Sequence, residues 1–215
     1  MSNTENKPQP HEQRSKEWFD SRLGKFTASE IHKLLGVKGL GETGKTYAFE
    51  KACELVYGKD ENDDFTSFDL KRGVELEPMA FRKFKELKQE DFIDVQETNF
   101  FPYGENAGAS PDGLVGDDSI LEIKCPRSNK FFNIVQGGED EIDKVYIAQM
   151  QMQMLCTNSL KCYFFNYIIF NGEEMWHEII IDRDNIMIEK IKERILEATI
   201  LRDEYVKQLK ANRQF

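Results

Sequence analysis

Ser110-Pro-Asp-Gly-Leu-Val-Gly-Asp-Asp-Ser-Ile-Leu-Glu-Ile-Lys-Cys-Pro126 is the stretch on which the reading of this chain turns. Residues 108–115 read as one strand and 119–124 as the next, around a turn at Gly116-Asp117-Asp118. Side chains two apart on a strand share a face, so Glu122 and Lys124 point the same way. The turn folds that strand back beside the first, where Asp112 stands, and the three side chains converge. Ile120, Leu121, Ile123 and Cys125 make the second strand apolar, which places Glu122 and Lys124 in a semi-buried setting. Charge in such a setting needs a partner or a metal. Glu-x-Lys is also common on solvated strands, and Asp-rich turns are common in hairpins, so the spacing alone is a loose pattern.

The chemistry wants this combination. Two carboxylates supply hard oxygen ligands for Mg2+, and a bound Mg2+ polarises a phosphodiester and lowers the pKa of its water. Lys124 is placed to orient or deprotonate that water and to offset developing negative charge. The main-chain carbonyl of Ile123 is a further candidate ligand. A third carboxylate upstream, Glu75 or Glu77, would support a second ion.

Outward from this centre the periodicity is helical upstream and mixed downstream. Helices are expected at 15–23, then after Thr27 or Ser29 with Ile31, Leu34 and Leu35 on one face, then at 47–57 and 76–87. A Gly- and Lys-rich loop at 36–44 and an acidic loop at 59–67 separate them. Residues 92–101 read as a strand, 143–155 as a helix, and 161–170 with 175–181 as a hairpin across Asn171-Gly172. A closing helix at 186–209 turns Ile188, Ile191, Ile195 and Ala198 inward. The expected fold is mixed α/β (α+β), a small sheet flanked by helices. Residues 1–13, polar and carrying Pro8 and Pro10, read as a disordered tail before a single domain at 14–215.

Composition narrows the function classes. The 215 residues are 40% hydrophobic, enough for a substantial core. The 39 acids against 29 bases leave a net charge of -10, which argues against a DNA-coating protein but not against an enzyme with a local basic track. No run approaches a membrane span and the first residues lack an apolar h-region, so a soluble, cytoplasmic protein is expected. Cys53, Cys125, Cys156 and Cys162 form no CxxC pair, and His11, His32 and His177 form no ligand motif. Reduced thiols are expected, and catalysis led by His or Cys has little to stand on. Gly39-Leu-Gly-Glu-Thr-Gly-Lys-Thr46 fits the GxxxxGK[ST] pattern, with Ile179-Ile-Ile-Asp182 as an apparent magnesium strand. A phosphate loop follows a buried strand, whereas residues 30–38 here have helical spacing, so the stretch reads as a flexible loop before a helix.

Four blocks, in order, resemble the YqaJ-type viral recombinase family, the lambda-exonuclease branch of the PD-(D/E)xK nucleases. They are Trp18-Phe-Asp-Ser-Arg-Leu-Gly-Lys-Phe-Thr-Ala-Ser-Glu30, Gly73-Val-Glu-Leu-Glu-Pro-Met-Ala80, Ser110-Pro-Asp-Gly-Leu114 with Leu121-Glu-Ile-Lys-Cys-Pro126, and Tyr146-Ile-Ala-Gln-Met-Gln151. The loops at 36–45 and 59–67 fall outside the pattern. The resemblance implies a restriction-endonuclease-like core. It makes Asp112, Glu122, Lys124, Glu77 and Gln149 the catalytic set. Asp112, Glu122, Ile123 and Glu77 become the metal ligands, and Glu75 a bystander. It assigns Arg22, Ser29 and Ser110 to a pocket for a 5′-phosphate, with Tyr146 lining the site. A guanidinium with two hydroxyls suits that anion.

By the same resemblance the protein is a phage-type, Mg2+-dependent 5′-to-3′ exonuclease on linear double-stranded DNA, with Mn2+ as a possible substitute and a pair of ions in the site. It leaves 3′ single strands for recombination by annealing. A homotrimer ring and a single-strand annealing protein are the implied partners, with no membrane. Two alternatives stand beside it: an endonuclease of the same superfamily, and a catalytically inactive DNA-end-binding scaffold.

Overall fold

The computed structural model describes residues 15–58 and 68–212. The expected tail at 1–13 and acidic loop at 59–67 lie outside the described residues. In chain order the elements are α1 (Lys16–Arg22), β1 (Phe26–Thr27), a 3-10 helix (Ala28–Leu34), α2 (Gly41–Tyr57), α3 (Phe68–Glu90), β2 (Val95–Glu97), β3 (Phe101–Tyr103), β4 (Ala107–Ala109), β5 (Gly113–Val115), β6 (Ser119–Lys124), α4 (Ser128–Gly137), α5 (Lys144–Thr157), β7 (Lys161–Phe170), β8 (Glu173–Asp182) and α6 (Asn185–Ala211). A short 3-10 turn, Gly138–Glu141, joins α4 to α5.

The main sheet is mixed, in the order β2-β5-β6-β7-β8. β6 and β7 are parallel, from Ser119↔Lys161 to Lys124↔Asn166, and the other pairs are antiparallel. A parallel neighbour requires a crossover, which α4 and α5 supply. The alternation of β6 then decides what each face carries. Leu121 and Ile123 pack with Ala80 and Phe84 of α3 and with Phe165 of β7. Ile120 packs on the opposite side with Ile134 of α4, Met150 and Met154 of α5, and Phe164. Glu122 and Lys124 share the Ile120 side, against α5. Truncating a buried ring such as Phe84 costs about 3–5 kcal/mol.

A second, smaller sheet, β1-β4-β3, pairs Phe26 with Ala107 in parallel and β3 with β4 in antiparallel. Its core joins Phe26, Ile31, Leu34 and Tyr47 to Ile191, Ile195 and Ala198 of α6. Arg202 of the same helix is buried and donates to the Gly24 carbonyl at 2.9 Å and to Asn106 Oδ1 at 2.8 Å. Side chains cap several helix starts: Ser15 on α1, Asp143 on α5 and Asp184 on α6.

Most expected elements are present, and the hairpin turns at Asn171-Gly172 with both residues at positive φ. Several expectations need correction. The strand at 92–101 is split between β2 and β3, which belong to different sheets. The strand at 108–115 is split into β4 and β5 at Ser110-Pro-Asp112, where Pro111 has no amide to continue a ladder. The loop at 36–44 ends early, because α2 begins at Gly41. This places Gly41 to Thr46 in a helix preceded by a 3-10 turn, which removes the phosphate loop. A Cβ on Gly44 would stand 2.9 Å from that of Leu40, so this glycine serves close packing. Lys45 bonds Glu42 at 2.8 Å. α3 starts well before residue 76, and α4 fills a stretch to which the sequence reading assigns no element.

Candidate active site

Asp112 follows the break between β4 and β5 and is held to β6 from both its main chain and its side chain. Its amide donates to the Leu121 carbonyl at 2.9 Å, and its Oδ2 accepts from the Ile123 amide at 2.6 Å. Opposite it, Glu122 is only 2% exposed. Glu122 Oε1 accepts from Lys124 Nζ and from Gln149 Nε2, the latter at 2.7 Å. Its Oε2 accepts from Gln153 Nε2 at 2.6 Å. A buried carboxylate is tolerable only with donors of this kind. The donors come from α5 because Tyr146, Gln149 and Gln153 lie at helical spacing on one face. Tyr146 presents its ring 4.7 Å from Lys124 Nζ.

Gln153 is a site residue that the sequence reading does not single out. It is fully buried and also approaches the Ser110 carbonyl at 3.5 Å. Its position four after Gln149 on an apolar helix was the available signal.

These contacts set the electrostatics. Burial raises the Asp112 carboxyl well above its ordinary value, and Glu122 and Glu77 push it further, against the opposing pull of Lys124 and the Ile123 amide. Burial acts to lower the Lys124 ammonium, but Glu122, Asp112 and the hydrogen bond to Glu122 outweigh it, and its pKa is raised. Lys124 is therefore a firm cation in this arrangement, suited to orienting a group and offsetting negative charge. The Cys125 thiol is pushed up to about 12 by burial and then by Glu77, which makes it inert.

A groove of about 660 Å³ opens beside this corner, and Glu77, Lys124, Tyr146 and Asn166 line it. Arg72, Arg127 and Lys130 also line it, giving a basic wall in a chain of net charge -10. Arg72 fixes the turn after β6 by donating to the Cys125 carbonyl at 2.6 Å.

The residues expected to bind a 5′-phosphate lie on the other side of Ser110. Arg22 NH1 reaches Ser110 Oγ at 3.4 Å, and the Trp18 indole donates to the same oxygen at 3.1 Å. The guanidinium carbon stands 4.0 Å over the Trp18 ring. Burial lowers the Arg22 pKa, partly offset by Tyr47, Glu30 and Glu54, and the group stays charged. Arg22 and Ser29 both line a pocket of about 860 Å³. Ser29 is exposed and contacts Thr27 Oγ1 at 3.4 Å, apart from Ser110. The structure thus brings Arg22 to Ser110 and leaves Ser29 at the rim.

The donor set suits a hard divalent cation. Burial and then the charges of Glu122 and Glu77 raise the Asp112 carboxyl, and a cation would relieve that repulsion. Among the described residues no three acidic, His or Cys side chains are gathered as a ready ligand set. Among the described residues no helix is long and apolar enough to cross a membrane.

The comparisons with known proteins agree with this architecture. An alkaline exonuclease from Laribacter hongkongensis, LHK-Exo, is 30% identical, with 92% of this chain and 97% of that one aligned at a TM-score of 0.79. The same enzyme in complex with dAMP aligns at 31% identity over 92% and 97% of the two chains, with a TM-score of 0.78. A phage-related exonuclease from Haemophilus somnus shares the fold at 20% identity and a TM-score of 0.71, over 86% of this chain and 96% of that one. No curated protein matches. These neighbours are exonucleases of the PD-(D/E)xK type of fold. Residues 17–159 match the model of the YqaJ-like viral recombinase domain, and the chain belongs to that family.

Proposed function

We propose that this protein is a Mg2+-dependent exonuclease that degrades one strand of linear duplex DNA from a 5′-phosphorylated end. The product is a 3′ single strand for annealing. The observation that carries the reading is one connection. Gln153 touches Glu122 on one side and the Ser110 carbonyl on the other, while the Ser110 hydroxyl meets Arg22. A carboxylate–lysine corner and an anion-gripping pocket are thereby set at a fixed offset. The exonuclease relatives, one of them bound to a nucleoside monophosphate, support the same class of chemistry.

Asp112, Glu122, Glu77 and the Ile123 carbonyl are the groups that would hold the metal. A bound divalent cation supplies polarisation of the phosphodiester and a more acidic water. The residues of the chain do the rest. Arg22 and Ser110 fix the terminal phosphate, with Ser29 closing the rim. Lys124 holds positive charge beside the reacting phosphate, and Gln149 and Gln153 keep Glu122 aimed. Tyr146 and the basic wall at Arg72, Arg127 and Lys130 position the strand. A homotrimer that encircles the duplex and an annealing protein that takes up the product strand complete the proposal.

Digestion of linear duplexes with Mg2+ tests it, comparing 5′-phosphate and 5′-hydroxyl ends with covalently closed circles. The expected result is loss of the strand that carries the 5′-phosphate, with circles intact. Cutting of circles would replace the proposal with an endonuclease, and no cutting with either Mg2+ or Mn2+ would replace it with an end-binding scaffold.

A further inference from the structure

Asn166 lies on β7 directly beside Lys124, as its register partner in the parallel pair β6–β7. Neighbours in register point to one face and stand about 4.8 Å apart, strand to strand. The Asn166 side chain therefore enters the groove side, next to the lysine. It is 0% exposed, and neither its Nδ2 nor its Oδ1 has a hydrogen-bond partner. A fully buried primary amide with both ends unsatisfied is costly, and an apolar residue of the same shape would fill the space without that cost. The position is thus paid for by something other than packing.

The neighbouring carboxylate indicates what that is. Three nitrogen donors occupy Glu122, two of them on Oε1. A carboxylate offers about four lone-pair sites, so Glu122 takes another ligand on Oε1 only if a donor withdraws. Gln149 and Gln153 are buried on α5, whereas Lys124 is half-buried and carries its ammonium on a flexible stem. Lys124 is the donor free to move. The other unpartnered acceptor at the site, Gln153 Oε1, belongs to an amide fixed on the opposite oxygen of Glu122.

We propose that Asn166 is a positioning residue for Lys124. Its Oδ1 is a second seat for the ammonium, occupied when Glu122 Oε1 turns to another ligand, and it keeps Lys124 aimed into the groove. This inference rests on the reading of the groove as a nuclease centre.

Three proteins test it: wild type, Asn166→Leu, which keeps the shape without the amide, and Asn166→Asp, which keeps an acceptor oxygen and removes the donor. For each, the unfolding midpoint, the affinity for a 5′-phosphorylated duplex in EDTA, and the rate with Mg2+ are measured. Asn166→Leu is expected to keep or raise the midpoint, keep DNA affinity and KM, and lose about tenfold or more in kcat. Asn166→Asp is expected to stay within about threefold of wild type. If Asn166→Leu does not fold, Asn166→Ala takes its place with the same expected rate loss. A wild-type rate in Asn166→Leu overturns the inference. So does an equal loss of rate and of DNA affinity in both variants, because that would make Nδ2 a donor to the DNA itself. If wild type itself digests no DNA, the reading of the groove has failed; if wild type digests and Asn166→Leu matches it, only the role of Asn166 has failed.

Discussion

Glu122 sits in a strand paired on both sides and accepts from three side chains, whereas Arg22 projects from a seven-residue helix and touches Ser110 at 3.4 Å. The first group is 2% exposed and the second is half-buried on the wall of an open pocket. Both carry charge, but the charge is managed differently. At Glu122 every oxygen is spoken for, and the neighbouring sheet holds the geometry. At Arg22 the guanidinium is braced by an aromatic face and a hydroxyl, which leaves donors for an incoming anion. A centre that must keep its shape through a reaction is built on long strands. On the proposed reading, a pocket that must admit and release a strand end is built on short elements near the surface.

Substitutions can break this contrast from either side. Lys124→Ala has the largest expected effect: turnover falls by about a thousandfold while binding of duplex ends without metal is largely kept. Equal losses of binding and rate would count against a chemical role. Gln153→Leu leaves Glu122 Oε2 buried without its donor. It is expected to cost about 2 kcal/mol in chemical denaturation and to reduce the rate as well. Wild-type stability in this variant would show that Glu122 finds another donor.

Arg22→Ala probes the open side. The preference for 5′-phosphorylated over hydroxyl ends should drop by about tenfold, with little change in the unfolding midpoint. If the two ends are cut alike by the wild type, the pocket assignment is wrong. The smallest effect on the stability of the metal-free fold is expected at Asp112. Its carboxyl titrates above the ordinary value of 3.8 in the folded chain, so between the two values the folded form holds a proton that the unfolded form has lost. Stability of the metal-free protein therefore falls as pH rises through that window. Asp112→Asn should flatten the slope and add roughly 1 kcal/mol at neutral pH. A wild-type midpoint that stays flat with pH would contradict this account.

The convergence of Asp112, Glu122 and Lys124 was legible because it follows from strand alternation and one short turn, both local rules. The hairpin at Asn171-Gly172 was legible for the same reason. What escaped depended on distant partners. Phe92 to Phe101 reads as strand throughout, yet the Thr98 hydroxyl bonds the Pro111 carbonyl and the chain passes from one sheet to the other. The pattern of residues 39–46 satisfies a motif, but a glycine that packs beside Leu40 looks the same in sequence as one that cradles phosphate. Gln153 escaped because a glutamine in an apolar helix shows its purpose only once Glu122 lies opposite. Asn166 needed the parallel register of β6 and β7, which no local spacing reveals.

The clamp of Arg202 on Gly24 and Asn106 joins positions 178 and 96 residues apart. Synthesis runs from the N-terminus, so a growing chain has the Gly24 turn and β4 long before α6 emerges to lock them. The turn that follows Arg22, and with it the setting of the pocket, waits for the last helix. The parallel pairing of β6 with β7 likewise waits for the crossover through α5 that brings Gln149 and Gln153 to Glu122. Long-range closures of this kind form late. A half-made chain therefore has the residues of the site but not the site, and on the proposed reading its capacity to attack DNA arrives only with the finished domain.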